Sequence, residues 1–192
     1  MKKLIIILSL FYFNNIGIDK VITYCDDLYS ACYKFLSHPA IEGIRHKAYP
    51  DGHGKLTIGI GCTENVTPEM VITDAQIEAR FRAALLEAIN KVNKTIDVNF
   101  PINKQVVLVS QAFNLQSYQH LILHLNESEE IYKKKILEYC RDAGGIIERG
   151  LLKRRIYERL LWEGKDWTSL TAKLDQMSVP QIQNEMKILF AA

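Results

Sequence analysis

The sequence has little proline, little cysteine and almost no net charge, and each shortage removes a class of protein. Five Pro and 10 Gly in 192 residues exclude a collagen-like or low-complexity chain. The four Cys (Cys25, Cys32, Cys62 and Cys140) are too sparse for a disulfide scaffold. They form no C-x-x-C and no Cys/His cluster of zinc spacing, so no structural metal is expected. Twenty-four Lys and Arg against 22 Asp and Glu leave a formal charge of +2, too small to make nucleic acid the default partner. No apolar run reaches the roughly 20 residues that a bilayer core requires. What remains is a folding composition, 48% hydrophobic and 24% charged, long enough for one domain with short appendages.

The longest apolar run is Leu4 to Phe13, interrupted only by Ser9, preceded by Lys2-Lys3 and broken by Asn14-Asn15. Charge, then apolar, then polar is the order of an export signal, although no A-x-A cleavage site follows. Residues 1–24 are therefore expected to be a signal or signal-anchor segment. That implies export to the periplasm or beyond, with transient membrane association; a buried N-terminal helix or strand is the alternative. In an oxidising compartment Cys25 and Cys32 can close a small loop, and Cys62 and Cys140 can pair or stay reduced.

Apolar residues at spacings of three and four (Leu28, Ala31, Cys32, Phe35, Leu36) predict a helix from Cys25 to about Ile41, ended by Gly43. Pro50-Asp51-Gly52 and Gly54 are turn chemistry, and Leu56 to Gly61 alternates, which predicts a hairpin over 49–61. Thr73 with Gln76 forms a capping box before a long stripe from Ile77 through Phe81, Leu85 and Ala88 to Val92. Further helices are expected from Pro101 to about Phe113, from a cap at Asn126 through Ile131 and Ile136, and from about Glu148 to Trp162. A last one follows the capping box of Ser178 and Gln181. One short β element among several helices gives an α+β class: a small N-terminal lobe with a β-hairpin, a larger helical C-terminal lobe, and a cleft between them.

On the alternating strand Leu56, Ile58 and Ile60 are expected to be buried, leaving Thr57, Gly59 and Gly61 on a face almost without side-chain bulk. Such a face can floor a cleft for a flat polymer. Asp51 hangs over it from the turn, and Glu42 faces it from the end of the preceding helix. Hydrolysis of a glycosidic bond needs a carboxylic acid to protonate the leaving oxygen and a second carboxylate to activate water or attack the sugar. A helix-end Glu behind a hairpin is the less solvated of the two, which suits the acid, and leaves Asp51 as base. Taken singly, a helix-end Glu, a turn Asp and a strand Thr have ordinary structural roles.

The pattern E-G-x-R-x-x-A-Y-x-D-x-x-G-x-x-T-I-G-x-G, filled from Glu42 to Gly61, resembles the catalytic segment of phage-type lysozymes, the glycoside hydrolase family 24 endolysins. Gly150-Leu151-Leu152-Lys153-Arg154-Arg155-Ile156-Tyr157-Glu158-Arg159-Leu160 is similar to that family's G-L-x-x-R-R-x-x-E-x-x-L signature. Leu108 to Asn114 resembles its helix on the far side of the cleft. The resemblance implies a lysozyme-like domain over 25–164 and a helical extension over 165–192. It implies Glu42 as essential acid, Asp51 and Thr57 handling water, inversion at the anomeric carbon, and Gly59, Gly61, Phe113 and Asn114 along the substrate. The implied substrate is peptidoglycan, cut between N-acetylmuramic acid and N-acetylglucosamine by a monomer without a cofactor.

Two positions depart from the family. Cys62 stands where it commonly has His beside the catalytic Glu, so support for Glu42 must come from elsewhere. Arg154 or Arg155 can supply it, or these arginines can hold the lobes together. The loop after Asn114 lacks the usual glycines. A non-catalytic wall-binding module and an exported toxin with the same chemistry remain as alternatives. Lys133 to Arg159 holds nine Lys or Arg against four Asp or Glu, a candidate basic patch for a polyanionic wall. His46, His53, His120 and His124 are expected to be solvated.

Overall fold

The computed structural model describes residues 18–191 apart from 53, 96–98, 116 and 143, with side chains from residue 26 onward. The apolar run Leu4 to Phe13 and His53 lie outside the described residues. Ten elements follow in order: α1 (Ile18–Leu36), β1 (Arg45–Pro50), β2 (Leu56–Gly59), α2 (Asp74–Thr95), α3 (Ile102–Asn114), α4 (Tyr118–Leu123), α5 (Glu129–Ile136), α6 (Arg149–Trp162), α7 (Thr171–Asp175) and α8 (Val179–Leu189). The class is α+β and mostly helical, with a two-stranded antiparallel sheet.

The α1 stripe is buried as its spacing predicts, with Cys32 and Leu36 fully enclosed. Its bounds differ: the described helix covers Ile18–Leu36, and so stops at Leu36 rather than near Ile41. On one helix Cys25 and Cys32 are seven residues and so about 10 Å apart, too far for a disulfide. Cys32, Cys62 and Cys140 are buried free thiols, so of the two states open to Cys62 and Cys140 the structure shows the unpaired one.

The long stripe of α2 is buried at Ile77, Phe81, Leu85, Ala88 and Val92. Its capping box is formed, the Thr73 N–H donating to Gln76 Oε1 at 2.9 Å. The box before α8 is formed likewise, from the Ser178 N–H to Gln181 Oε1 at 2.8 Å. At α5 the cap is Ser128 rather than Asn126, because the Ser128 hydroxyl accepts from the Ile131 N–H at 3.1 Å. Asn126 instead ends a 3-10 turn after α4. That short helix was not anticipated; it is held by Leu121 and Ile122, which are fully buried.

One continuous core runs from the hairpin residues Ile58 and Ile60 through the helices to Trp162, Trp167, Leu174 and Ile182. The helix centred on it is α3, buried from Gln105 to Ala112 on nearly every side and packed against α1, α2 and α6. A helix wrapped by neighbours has no solvated face, so its polar residues must find partners inside. Ser110 and Gln111 do, and they lead to the candidate site.

Candidate active site

Glu42 sits in the turn between α1 and β1. His38 organises that turn: its carbonyl accepts from Ile41 N–H at 2.8 Å and Gly43 N–H at 3.1 Å, and its Nδ1 accepts from Ala40 N–H at 3.1 Å. Glu42 N–H returns to the Leu36 carbonyl at 3.2 Å. The Glu42 side chain, 18% exposed, receives a hydrogen bond from Arg154 Nη1 at 2.5 Å on Oε1. Its other oxygen lies over Gly61: a Cβ there would stand 2.7 Å from Glu42 Oε2, and the Gly61 φ of +67° is one that side chains rarely adopt. Glycine at 61 is thus the condition for Glu42 to lie where it does.

The hairpin is built by the residue that was also expected to do chemistry. Asp51 Oδ1 accepts from Lys55 N–H at 2.8 Å, while the backbones of Asp51 and Lys55 pair at 2.9 Å. Asp51 is both turn former and catalytic candidate. Burial pushes the Tyr49 phenol up, the charges of Glu42 and Asp51 add to this, and Arg45, 4.5 Å over its ring, opposes it.

The open glycine floor does not form as expected. β1 begins at Arg45, which pairs with Gly59 of β2, and the segment at 70–72 pairs along its other edge, with Ala48 N–H to Met70 O and Ile72 N–H to His46 O at 2.9 Å each. Thr57, opposite Tyr49, is 4% exposed and donates to the Lys55 carbonyl at 3.2 Å, so its hydroxyl is a recessed group rather than a projecting one. Gly59 has φ +67°, which breaks the alternation and turns it to the core, where a Cβ would meet Ile72 and Ile77 at 3.7 and 3.8 Å. Gly59 is structural, and Gly61 serves Glu42. Leu56, expected to be buried, is half-buried.

The arginines divide the two roles left open for them. Arg154 reaches across 112 positions to Glu42. It is 4% exposed and is held from behind by Ser110 Oγ at 3.0 Å and by Glu158 Oε1 at 3.3 Å. Arg155, fully buried, donates to Asn114 Oδ1 at 2.8 Å and stands 3.1 Å from Glu158 Oε2. Burial pulls its pKa down to about 10, against the pull of Glu158. Glu158, with no exposed surface, also accepts from Ser110 Oγ at 2.6 Å. Two guanidiniums and two carboxylates thus balance in charge, which a buried group of this kind requires. Glu158 was quoted in the signature without a role. Its signal is the i,i+4 step from Arg154, which on a helix puts both on one face.

Phe113 and Asn114, expected along the substrate, are half-buried: Phe113 packs on Phe81 at 6.2 Å and Asn114 accepts from Arg155. The buried Cys62 thiol is pushed up by burial, with Glu42 adding to this and Arg80 opposing it. It is a neutral neighbour of Glu42. Four of the nine cations of the basic patch are internal: Lys153, Arg154, Arg155 and Arg159 are buried and paired with Asp175, Glu42, Glu158 and Glu163. His46 is bound to Asp74 and His124 to Glu127 at the surface. Among the described residues no three His, Cys, Asp or Glu converge on a metal position, and no helix is long and apolar enough to cross a membrane. A groove of about 460 Å³ lies between the end of α5, α6 and α8, and none of the residues around Glu42 lines it.

Residues 39–158, which carry Glu42, Asp51, Arg154 and Glu158, match the family model "Phage lysozyme". The chain belongs to the phage lysozyme family. Among curated relatives of this family it is 29% identical to a SAR-endolysin of Bacteriophage PS119, over 64% of this chain and 77% of that one. It is 31% identical to an endolysin of Bacillus phage PZA, over 64% of this chain and 50% of that one. The crystal structure of the active form of the P1 phage endolysin Lyz superposes with TM-score 0.60 at 24% identity, covering 78% of this chain and 94% of that chain. The fold is lysozyme-like, and the phage lysozyme chain described here is a glycoside hydrolase of the muramidase kind that cleaves peptidoglycan.

Proposed function

We propose that the chain cuts the β-1,4 bond between N-acetylmuramic acid and N-acetylglucosamine, with Glu42 as proton donor and inversion at the anomeric carbon. The observation that carries this is the asymmetric hold on Glu42. Oε1 is bound to Arg154, and Oε2 is turned over Gly61, where no side chain intervenes. A carboxyl fixed by one oxygen presents the other to a leaving-group oxygen at low orientational cost. Once the proton has gone, Arg154 stabilises the carboxylate left behind by a charge-assisted hydrogen bond. Asp51 is the base for the attacking water and the recessed Thr57 hydroxyl its second contact. An inverting pair stands about 6.5–9.5 Å apart, with room for that water. The run Leu4 to Phe13 brings the enzyme to the membrane on its way to the wall, in line with the relative that bears the name SAR-endolysin.

The test is Glu42→Gln on purified peptidoglycan, scored by new reducing ends. Loss of a general acid costs about 10²–10⁴-fold, so the variant should fall at least about 10²-fold while its circular dichroism spectrum is kept. A folded Glu42→Gln protein that cleaves as fast as wild type overturns the assignment. A wild type that is pulled down with the wall and releases no reducing ends favours the wall-binding reading.

A further inference from the structure

We propose that Trp167, outside the 39–158 family match, is a positioning residue of the catalytic ion pair, so that the C-terminal extension completes the site. The inference rests on the reading of Glu42 as acid. Trp167 is 8% exposed and lies in the connection that follows α6. Its ring meets three others edge-on or tilted: Phe35 at 5.0 Å, His38 at 4.8 Å and Tyr157 at 5.4 Å. Phe35 is in the last turn of α1. His38 is the residue whose carbonyl and ring nitrogen form the turn that ends in Glu42. Tyr157 is on α6, three residues after Arg154 and next to Glu158.

One indole therefore touches, from behind, the turn that carries Glu42 and the helix that carries Arg154. Aromatic rings in edge-to-face contact fix one another's orientation as well as their separation. A shift of the His38 turn relative to α6 changes the reach of Arg154 to Oε1, and displacements of about 1 Å in catalytic geometry can cost about 10²-fold in rate.

The experiment compares full-length Trp167→Met, Trp167→Phe and Leu121→Ala with wild type and Glu42→Gln, by steady-state hydrolysis of soluble peptidoglycan oligomers and by thermal unfolding. Met fills the space without a flat ring; Leu121 is a fully buried residue of α4 outside the site and supplies a stability control. Trp167→Met should lose about tenfold in kcat with KM within about twofold, the mark of an interaction needed only in the transition state. Trp167→Phe should restore most of it, and Leu121→Ala should lower the melting temperature without that fall in kcat. Equal kcat for Trp167→Met and Leu121→Ala, or a loss confined to KM, overturns the proposal. If Trp167→Met does not fold, His38→Leu removes the same contact from the other side, and an unchanged kcat there overturns it too. An active Glu42→Gln protein removes the acid assignment; an inactive one beside a fully active Trp167→Met removes only the role of the indole.

Discussion

Two faces of α6 use the same residue types to opposite ends. Arg154 and Glu158, one turn apart, point into the molecule, where their partners are Glu42, Ser110 and Arg155. Arg149 and Lys153, also one turn apart but rotated by about 100° along the helix, hold the C-terminal extension. Arg149 donates to the carbonyls of Leu174, Asp175 and Met177, and Lys153 pairs with Asp175. On the inner face every charge depends on a buried counter-charge. On the outer face Arg149 satisfies carbonyls at and after the end of α7, where water is an available substitute, and the buried Lys153 pairs with a half-exposed carboxylate. The inner face should therefore be far less tolerant of a single change, although both belong to one signature.

Glu158→Gln tests the inner face and should have the largest effect. It keeps the shape of the side chain but leaves Arg154 and Arg155 with only Glu42 to balance them. Removing one partner of a buried charge group costs about 3–5 kcal/mol, measurable as a lowered urea midpoint with unchanged slope. A loss below about 1 kcal/mol would mean that the buried network is not what holds α6, and the contrast between faces would fail.

Arg149→Ala tests the outer face. Its hydrogen bonds are partly solvated, so the loss should be about 1–2 kcal/mol, and local rather than global. Limited proteolysis should show faster cleavage within 171–191 with residues 26–162 intact. Equal protection in variant and wild type would show that α8, packed on α6 through Ile182, is held without Arg149.

How much of this was legible in the sequence follows the same division. The stripe of α2, the extent of α6 and both capping boxes are local patterns, and the structure places them as the sequence predicts. What was not legible depends on contacts distant in sequence. β1 starts at Arg45, where it pairs with Gly59, and a segment at 70–72 pairs along its other edge. Gly59 turns inward because its φ is positive. Four cations of the supposed basic patch are buried because carboxylates at 42, 158, 163 and 175 meet them. Net charge per segment cannot distinguish a surface patch from an internal network, and that distinction decided the role of Arg154.

The smallest effect is expected at an exposed carboxylate, Glu129 at the start of α5, which meets the end of α6. Glu129 Oε1 accepts from Lys104 Nζ at 2.6 Å and from the indole N–H of Trp162, the last residue of α6, at 2.9 Å. The hydrogen bond from Lys104, helped by Trp162 and by the charges of Lys104 and Lys133, holds the Glu129 carboxyl below its usual range against the opposing effect of burial. A carboxyl whose pKa is depressed on folding stabilises the protein above its unfolded value of 4.5, and that contribution is lost as the pH falls through the depressed folded value. Wild type should therefore melt above Glu129→Gln at pH 7, with the difference shrinking as the pH falls below about 4.5. Because this carboxylate is partly exposed, the gap should also narrow in about 1 M salt. A gap that persists at pH 3 would assign the contribution of Glu129 to its neutral hydrogen bonds rather than to its charge. The contrast with Glu158 would then be one of burial alone and not of counter-charge.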